Sequence, residues 1–158
     1  MTMASKKSAM GSGFSISSNL KKDAGRLELV DVDGNRVGEN ILVTDAPNDQ
    51  RSPDLAYISA VDRYRIVWED GRNGPIYGKD IFIRWSDDEG QTWYPPAPVV
   101  ELQVNDHYST EASQNDQKHP AVAISPDGKV VVAWQDHRGD SFDIYVQVFD
   151  YSGGTPVP

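Results

Sequence analysis

The 158-residue chain contains no cysteine. This absence excludes disulfide bonds, cysteine-ligated zinc and a cysteine nucleophile. Long apolar runs are also missing, because no stretch approaches the ~20 residues that a membrane-spanning helix needs. Residues 1–13 carry two lysines but no apolar segment of the secretory type. The sequence therefore predicts neither membrane insertion nor a signal peptide within these residues.

Positive charge is scarce relative to negative charge. The chain has 15 lysines and arginines against 24 aspartates and glutamates, which gives a formal net charge of −9. Such a surface repels phosphate backbones and anionic lipid, so we expect no nucleic-acid or membrane partner. A surface with this net negative charge also disfavours the approach of anionic sugars.

Patterns that would hold a metal or a cofactor are incomplete. Asp31 and Asp33 stand before a Gly-Asn pair in the manner of a calcium loop, but the bidentate glutamate is missing at the required distance. The histidines have no i, i+4 spacing of a zinc site: His107, His119 and His137. No phosphate loop, dinucleotide fingerprint or G-x-S-x-G pattern is present. We therefore expect no metal and no cofactor, and we assign no catalytic residue.

What the chain does contain is an internal repeat. Three stretches of the first part recur later in the same order: Asn48–Gln50 as Asn115–Gln117, Ile66–Arg72 as Val132–Arg138, and Asp80–Ile83 as Asp143–Val146. The period lies in the sixties, which suits a four-stranded propeller blade with long loops.

Within each unit the hydrophobic residues alternate with period two, which indicates strands rather than helices. Tyr64, Ile66 and Trp68 share one face of a strand, while Val67 and Phe82 make the opposite faces partly apolar. Sheets that are packed between neighbouring blades require apolar residues on both faces. The predicted fold is therefore all-β, with propeller blades of four-stranded antiparallel sheets, about two and a half blades and an incomplete ring.

The repeat boundaries predict four parts of the chain: a disordered leader or tail over 1–19, the outer hairpin of a preceding blade over 20–47, a blade over 48–104, and a second, C-terminally truncated blade over 105–158. A closed propeller has about four to eight blades. The chain is therefore expected either to continue in a longer parent protein or to assemble with further copies into one ring.

The segment from Ser86 to Trp93 reads S-x-D-x-G-x-T-W and predicts a tight structural turn. Asp88 can accept backbone N–H groups within the turn, and Gly90 can adopt the positive φ that other residues resist. Thr92 then re-enters extended structure, and Trp93 can anchor the turn on apolar surface. The pattern resembles the Asp-box of the sialidase-like (BNR) β-propeller repeat family.

The resemblance covers roughly residues 49–100 and implies ligand contacts. It implies that Arg51 is one of three arginines that grip a substrate carboxylate, and that Arg72 lies near the substrate rim. Together with Tyr77, these side chains are expected on a polar loop face where a sugar or a protein loop could dock. Ser52 departs from the family pattern, and the loop over residues 73–79 lacks the acid that the family carries.

A second resemblance is to tandem repeats of secreted or surface bacterial proteins, which share Trp-x-Asp-x-Arg followed by Asp-Ile-Tyr. In both units the aspartate and the arginine are expected to pair or to join neighbouring loops, and the tryptophan to pack in the core. The leading hypothesis is a non-catalytic module for binding or assembly at the cell surface or outside the cell, with a glycan or protein ligand. The alternatives are a segment of an exo-sialidase-like glycoside hydrolase and a pure scaffold that self-associates into a homo-oligomeric ring.

Overall fold

The computed structural model describes residues 14–17, 25–31, 35, 39–58, 63–74, 78–88, 90–96, 101–106 and 115–150. These residues form ten β-strands: β1 (Phe14–Ser17), β2 (Gly25–Asp31), β3 (Ile41–Thr44), β4 (Gln50–Ile58), β5 (Arg63–Asp70), β6 (Asp80–Ser86), β7 (Leu102–Gln103), β8 (Gln117–Ile124), β9 (Lys129–Asp136) and β10 (Asp143–Asp150). The strands make three antiparallel sheets in chain order. We call them the N-terminal sheet (β1–β3), the central sheet (β4–β7) and the C-terminal sheet (β8–β10).

The N-terminal sheet contains a strand in a range for which the sequence predicts a disordered leader. β1 pairs with β2 over four residues, from Phe14 opposite Asp31 to Ser17 opposite Glu28. Phe14 and Ile16 alternate with serines, and this period-two pattern suits a strand that pairs with β2. The boundary of the leader stays a prediction, and residues 1–13 lie outside the described part. Two residues of the calcium-like pattern, Asp33 and Gly34, also lie outside it.

The central and C-terminal sheets repeat the same meander. In the central sheet Trp68 lies opposite Phe82 on the neighbouring strand, and in the C-terminal sheet Trp134 lies opposite Tyr145. The central sheet has a fourth strand, β7, which pairs with β6. The predicted all-β fold of incomplete propeller blades is therefore confirmed.

Two hydrophobic cores lie between successive sheets. The larger core joins the central and C-terminal sheets: Val67, Ile81, Ile83, Trp85, Val104, Val122, Val130, Val132, Trp134 and Phe149. The smaller core joins β3 to the other face of the central sheet: Val43, Ile66, Trp68 and Phe82. Because alternate residues of β5 enter different cores, the central sheet is buried on both faces. Each large apolar side chain that is fully buried contributes about 1.5–3 kcal/mol.

None of the described segments forms a helix that is long and apolar enough to cross a membrane.

Candidate functional site

The repeated Trp-x-Asp-x-Arg motif forms a structural cluster at the end of the second strand of each unit. Asp70 accepts a hydrogen bond of 2.9 Å from Nε1 of Trp68 and is held by Nε and Nη2 of Arg72 at 2.9 and 2.7 Å. The second unit repeats these bonds at 2.9, 3.0 and 2.7 Å, with Asp136 accepting from Trp134 and Arg138. The predicted aspartate–arginine pairing and tryptophan burial are confirmed in both units.

Arg72 has further partners that belong to the fold. Its Nη1 donates to Oε2 of Glu101 at 2.9 Å, and its guanidinium carbon lies 4.0 Å from the ring centroid of Phe82. Burial alone would lower the pKa of Arg72, but the bonds to Asp70 and Glu101 outweigh it and raise the pKa. A guanidinium that is shared between two carboxylates and an aromatic ring has little left to offer a ligand. A ligand-binding role for Arg72 stays a prediction.

The segment from Ser86 to Trp93 makes hydrogen bonds of the kind that its pattern predicts. Oδ1 of Asp88 accepts the backbone N–H of Thr92 and the hydroxyl of Ser86, both at 2.8 Å. Gly90 has a φ of 82°, and its carbonyl accepts Nε1 of Trp93 at 3.0 Å. Trp93 also packs against the smaller core, and its carbonyl accepts Nη2 of Arg84 at 3.2 Å. These contacts are those of a structural segment.

An open polar cleft of about 420 Å³ lies where loops of the central sheet meet the segment that leads into β8. Its described lining residues are Asn48, Asp49, Gly71, Gly74, Gly78, Lys79 and Asp116. None of these carries a hydrophobic side chain. The side chains of this lining are carboxylates, an amide and an ammonium group, and hydroxyl-rich ligands need such a mixture of donors and acceptors.

Arg51 reaches the rim of this cleft through Asp49. Its guanidinium forms an exposed ion pair with the Asp49 carboxylate, and 55% of the Arg51 side chain remains accessible. The structure therefore places the sequence-predicted Arg51 beside the cleft, whereas Arg72 is engaged in the motif cluster. Tyr77, the third predicted ligand-binding residue, lies outside the described residues.

The sequence does not single out Glu69, a buried carboxylate that bonds to the cleft residue Lys79 and to the C-terminal sheet. Glu69 is only 3% exposed, and it accepts the backbone N–H of His119 at 2.9 Å and Nζ of Lys79 at 3.2 Å. Burial alone would raise its pKa, but the hydrogen bonds from His119, Ser52 and Lys79 outweigh burial and lower it. A difference between the two units could have drawn attention to Glu69, because the second unit has Gln135 at the equivalent position.

The first strands of both units carry the same strained bulge. Ser52 has a φ of 49° and His119 a φ of 51°, and each residue precedes a proline. The pairing register shifts at these points, between Arg51 and Asp54 in β4 and between Lys118 and Ala121 in β8. A positive φ in a non-glycine residue costs about 1–3 kcal/mol and persists only where the surrounding structure imposes it. The bulges therefore give the first residues of β4 and β8, near the cleft, the same irregular backbone geometry.

Several described carboxyl groups have a pKa that the fold displaces. Five of them have a pKa clearly displaced from the ordinary value, and in each case it is lowered: Glu69, Asp88, Asp116, Asp127 and Asp136. In the three most buried of these groups, burial would raise the pKa but hydrogen bonds from neighbouring donors outweigh it. A glycosidase needs a carboxylic acid whose pKa is raised, and none of these five groups has that property. The described residues also contain no cluster of three metal-ligating side chains.

Neither a protein-family model nor a curated protein matches this chain significantly. Solved structures do resemble it. The GH43 BlXynB protein from Bacillus licheniformis gives a TM-score of 0.52 at 11% identity, over 87% of this chain and 27% of that one. The Hadza microbial sialidase Hz136 gives 0.51 at 18% identity, over 87% and 33%. An α-L-arabinanase from Penicillium chrysogenum complexed with arabinobiose gives 0.51 at 15% identity, over 85% and 40%.

These similarities concern the fold. The chain spans between 27% and 40% of the length of the three proteins. Their identities to this chain are far below the level at which a shared activity follows. The likeness shows that this chain has the fold of part of a β-propeller.

Proposed function

We propose that the chain is a non-catalytic β-propeller module that binds carbohydrate in the cleft beside Arg51, outside the cell or at its surface. The observation that carries the proposal is the set of charged and amide side chains around the cleft. Asp49, Lys79, Asp116 and Asn48 place carboxylate, ammonium and amide groups around an open space of about 420 Å³. A sugar hydroxyl would share these groups with their intramolecular partners. Sugars bind through many hydroxyl contacts to groups of this kind.

The electrostatics favour a neutral sugar over an anionic one. The chain carries a net charge of −9, and the cations near the cleft are paired: Arg51 with Asp49, Lys79 with Glu69, and Lys118 with Asp116. An anionic sugar would have to compete with these carboxylates. The similarity to an arabinanase solved with arabinobiose supports a neutral pentose oligosaccharide as the first ligand to try.

The test is a titration of the protein with arabinobiose and with a sialylated oligosaccharide, followed by calorimetry and by amide NMR shifts. We expect saturable binding of the neutral sugar and weaker or no binding of the sialylated one. The perturbed amides should lie at residues 48–51, 71–74 and 115–116. Saturation by neither sugar, or shifts confined to other parts of the chain, would refute the proposed site.

A matched pair of variants separates the cleft from general surface effects. Arg51→Ala removes a cation whose side chain is 55% exposed and which pairs with Asp49. Lys129→Ala removes a cation with the same exposure, which pairs with Asp127 on a distant turn. Arg51→Ala should weaken sugar binding several-fold, whereas Lys129→Ala should leave it unchanged. Equal effects of the two substitutions would remove Arg51 from the site.

A second candidate is a segment of a glycoside hydrolase, because the structures that resemble this chain are named as a GH43 protein, a sialidase and an arabinanase. The lowered pKa of the buried Glu69 argues against a role as general acid within this chain. Hydrolysis of a fluorogenic arabinoside or sialoside by the purified protein, abolished by Glu69→Gln, would favour this candidate over the binding module.

A further inference from the structure

A chain of buried polar side chains crosses the boundary between the central and C-terminal sheets. Nδ2 of Asn105, just past β7, donates to Oδ1 of Asp80 at 2.9 Å and to Oε1 of Gln117 at 3.2 Å. Nε2 of Gln117 then donates to Oδ1 of Asp136 at 3.4 Å. These four residues, which we call the polar bridge, are between 0% and 5% exposed. Loss of one member would therefore leave a buried polar group without a partner, which is costly.

The carboxylates at the two ends of the polar bridge fix the orientation of both amides between them. Oδ1 of Asn105 accepts the backbone N–H of Ile81 at 2.7 Å, so that both hydrogens of its NH2 group are left for the polar bridge. A flipped amide would set its oxygen against the carboxylate of Asp80 and its NH2 group against an N–H donor. The NH2 group of Gln117 is likewise required by the carboxylate of Asp136. The polar bridge thus needs two N–H donors at residue 105.

The polar bridge lies directly behind two residues of the cleft. Lys79 and Asp116 line the cleft, and each immediately precedes a member of the polar bridge, Asp80 at the start of β6 and Gln117 at the start of β8. The N–H of Gln117 donates to the carbonyl of Lys79 at 2.9 Å, and the N–H of Lys79 donates to Oδ1 of Asp116 at 3.2 Å. Two walls of the cleft, one from each sheet, therefore meet where Asn105 joins the next residues.

The internal repeat shows that this link is a particular feature of the second unit. Gln50 stands in the first unit where Gln117 stands in the second. Its Nε2 donates to the carbonyl of Pro47 at 3.2 Å in an exposed setting, and so bonds within its own segment. The buried connection of Gln117 to Asn105 is therefore not required by the repeated strand pattern itself.

We propose that Asn105 is a positioning residue of the cleft, which holds the wall with Lys79 and the wall with Asp116 at a fixed spacing. Loss of its amide would remove a buried donor from Gln117 and allow the start of β8 to move relative to β6. The cleft would then have its binding width in only a fraction of the molecules, and the apparent affinity for a ligand would fall by that fraction. The effect on a sugar rests on the proposed function, whereas the positioning role does not require a ligand.

The experiment measures amide hydrogen exchange of the full chain by NMR. The N–H groups of Lys79 and Gln117 bond across the two walls, and we call them the reporter amides. The N–H of Gly71 donates to the carbonyl of Asp49 at 2.9 Å and serves as a reference within the central sheet. Asn105→Ala should accelerate exchange of the reporter amides several-fold and leave Gly71 unchanged. Equal acceleration of all three amides would indicate a general loss of stability and overturn the proposal.

Asn105→Asp keeps the shape of the side chain and is the second variant should Asn105→Ala fail to fold. The charged groups nearest to it are Asp80, and Asp136 with its partner Arg138 beyond Gln117. Because two carboxylates at this distance share a proton, acidic pH restores one donor to the variant. The reporter amides should exchange faster than in the wild type at neutral pH and approach the wild-type rate at acidic pH. A rate ratio that is independent of pH would overturn the need for a donor at this position.

Gln103→Ala is the matched control. Nε2 of Gln103 donates to the same oxygen of Asp80 at 3.2 Å, but from β7 of the same sheet. Its removal takes a donor from that carboxylate and leaves the bond from Asn105 to Gln117 in place, so the reporter amides should exchange as in the wild type. Acceleration equal to that of Asn105→Ala would overturn the special role of Asn105.

Titration with arabinobiose separates the positioning role from the proposed function. A wild-type protein that does not bind the sugar refutes the binding module, and the exchange rates of the reporter amides then decide the role of Asn105 by themselves. If the wild type binds, Asn105→Ala should weaken the affinity several-fold and Gln103→Ala should not. Accelerated reporter amides with an unchanged affinity would show that the spacing of the two walls does not matter to the ligand, and would overturn the inference for the cleft.

Discussion

The carboxylate of Glu69, on β5 of the central sheet, accepts a hydrogen bond of 2.9 Å from the backbone N–H of His119 on β8 of the C-terminal sheet. The bond satisfies a donor at the strained bulge and joins the two sheets. Lys79 neutralises the same carboxylate at 3.2 Å. The contact between the sheets at this point is therefore electrostatic as well as hydrophobic, and it should respond to pH.

Our first prediction concerns Glu69→Gln. In the folded protein the pKa of Glu69 is lowered from its ordinary value of 4.5. The charged form therefore contributes stability that is fully present above pH 4.5 and is lost as the pH falls through the lower folded pKa. For one carboxylate the free energy of unfolding changes by at most about 1.4 kcal/mol per pH unit. Denaturant unfolding at a series of acidic pH values should show a smaller pH dependence in the variant than in the wild type.

Asp140→Asn, on the exposed loop that follows Arg138, is the control for the loss of one carboxylate. The smaller pH dependence should be specific to Glu69→Gln. If Glu69→Gln and the wild type have parallel profiles through the acidic range, the bridge to His119 and Lys79 does not contribute to stability in the charged form.

The second prediction concerns Asp136, which is fully buried and accepts from Trp134 and from Arg138. Asp136→Ala should lower the free energy of unfolding by about 3 kcal/mol, because it leaves the buried indole N–H of Trp134 without an acceptor and leaves the partly buried Arg138 with only the exposed Asp106 as a carboxylate partner. Asp136→Asn keeps one acceptor oxygen and should cost less. Urea denaturation of both variants measures the difference.

Asp140→Ala, on the exposed loop that follows Arg138, is the reference for the loss of one negative charge. Surface substitutions of this kind usually change stability by less than about 0.5 kcal/mol. A similar small change for Asp136→Ala would show that the motif cluster is not a stabilising element, and the structural interpretation of the repeated Trp-x-Asp-x-Arg motif would be wrong.

Much of the fold follows from local pattern. The period-two pattern of Tyr64, Ile66 and Trp68 indicates β5, and the recurrence of Asp80–Ile83 as Asp143–Val146 indicates that β6 and β10 are equivalent strands; the structure has all three strands. The hydrogen bonds that Asp88 and Gly90 make were also predictable, because a tight turn restricts its own partners to a few neighbouring residues. These features depend on residues that are close in the sequence, so a single sequence carries the information.

The remaining features depend on residues that are far apart in the sequence. Glu101 contacts Arg72 across 29 residues, and His119 contacts Glu69 across 50. Nothing in the local sequence of either partner specifies such a pair, so the sequence leaves Arg72 as a candidate ligand contact and overlooks Glu69. β1 is a further case, because a four-residue strand with two apolar positions becomes recognisable only when β2 is present to pair with it.

The last prediction concerns Gly78, which lines the cleft and lies two residues before the start of β6. Gly78 has a φ of 82°, and a Cβ atom built there would lie 2.7 Å from the backbone oxygen of Asn115. Gly78→Ala should therefore cost about 2 kcal/mol or more, because it combines a left-handed backbone with a clash against main chain that cannot rotate away. Gly74→Ala is the matched control, since Gly74 also lines the cleft but has no atom within 4 Å of such a Cβ. Thermal and urea unfolding of the two variants should separate clearly. Equal stability would mean that the loop before β6 does not adopt this conformation, and the shape of the cleft that depends on the loop would have to be revised.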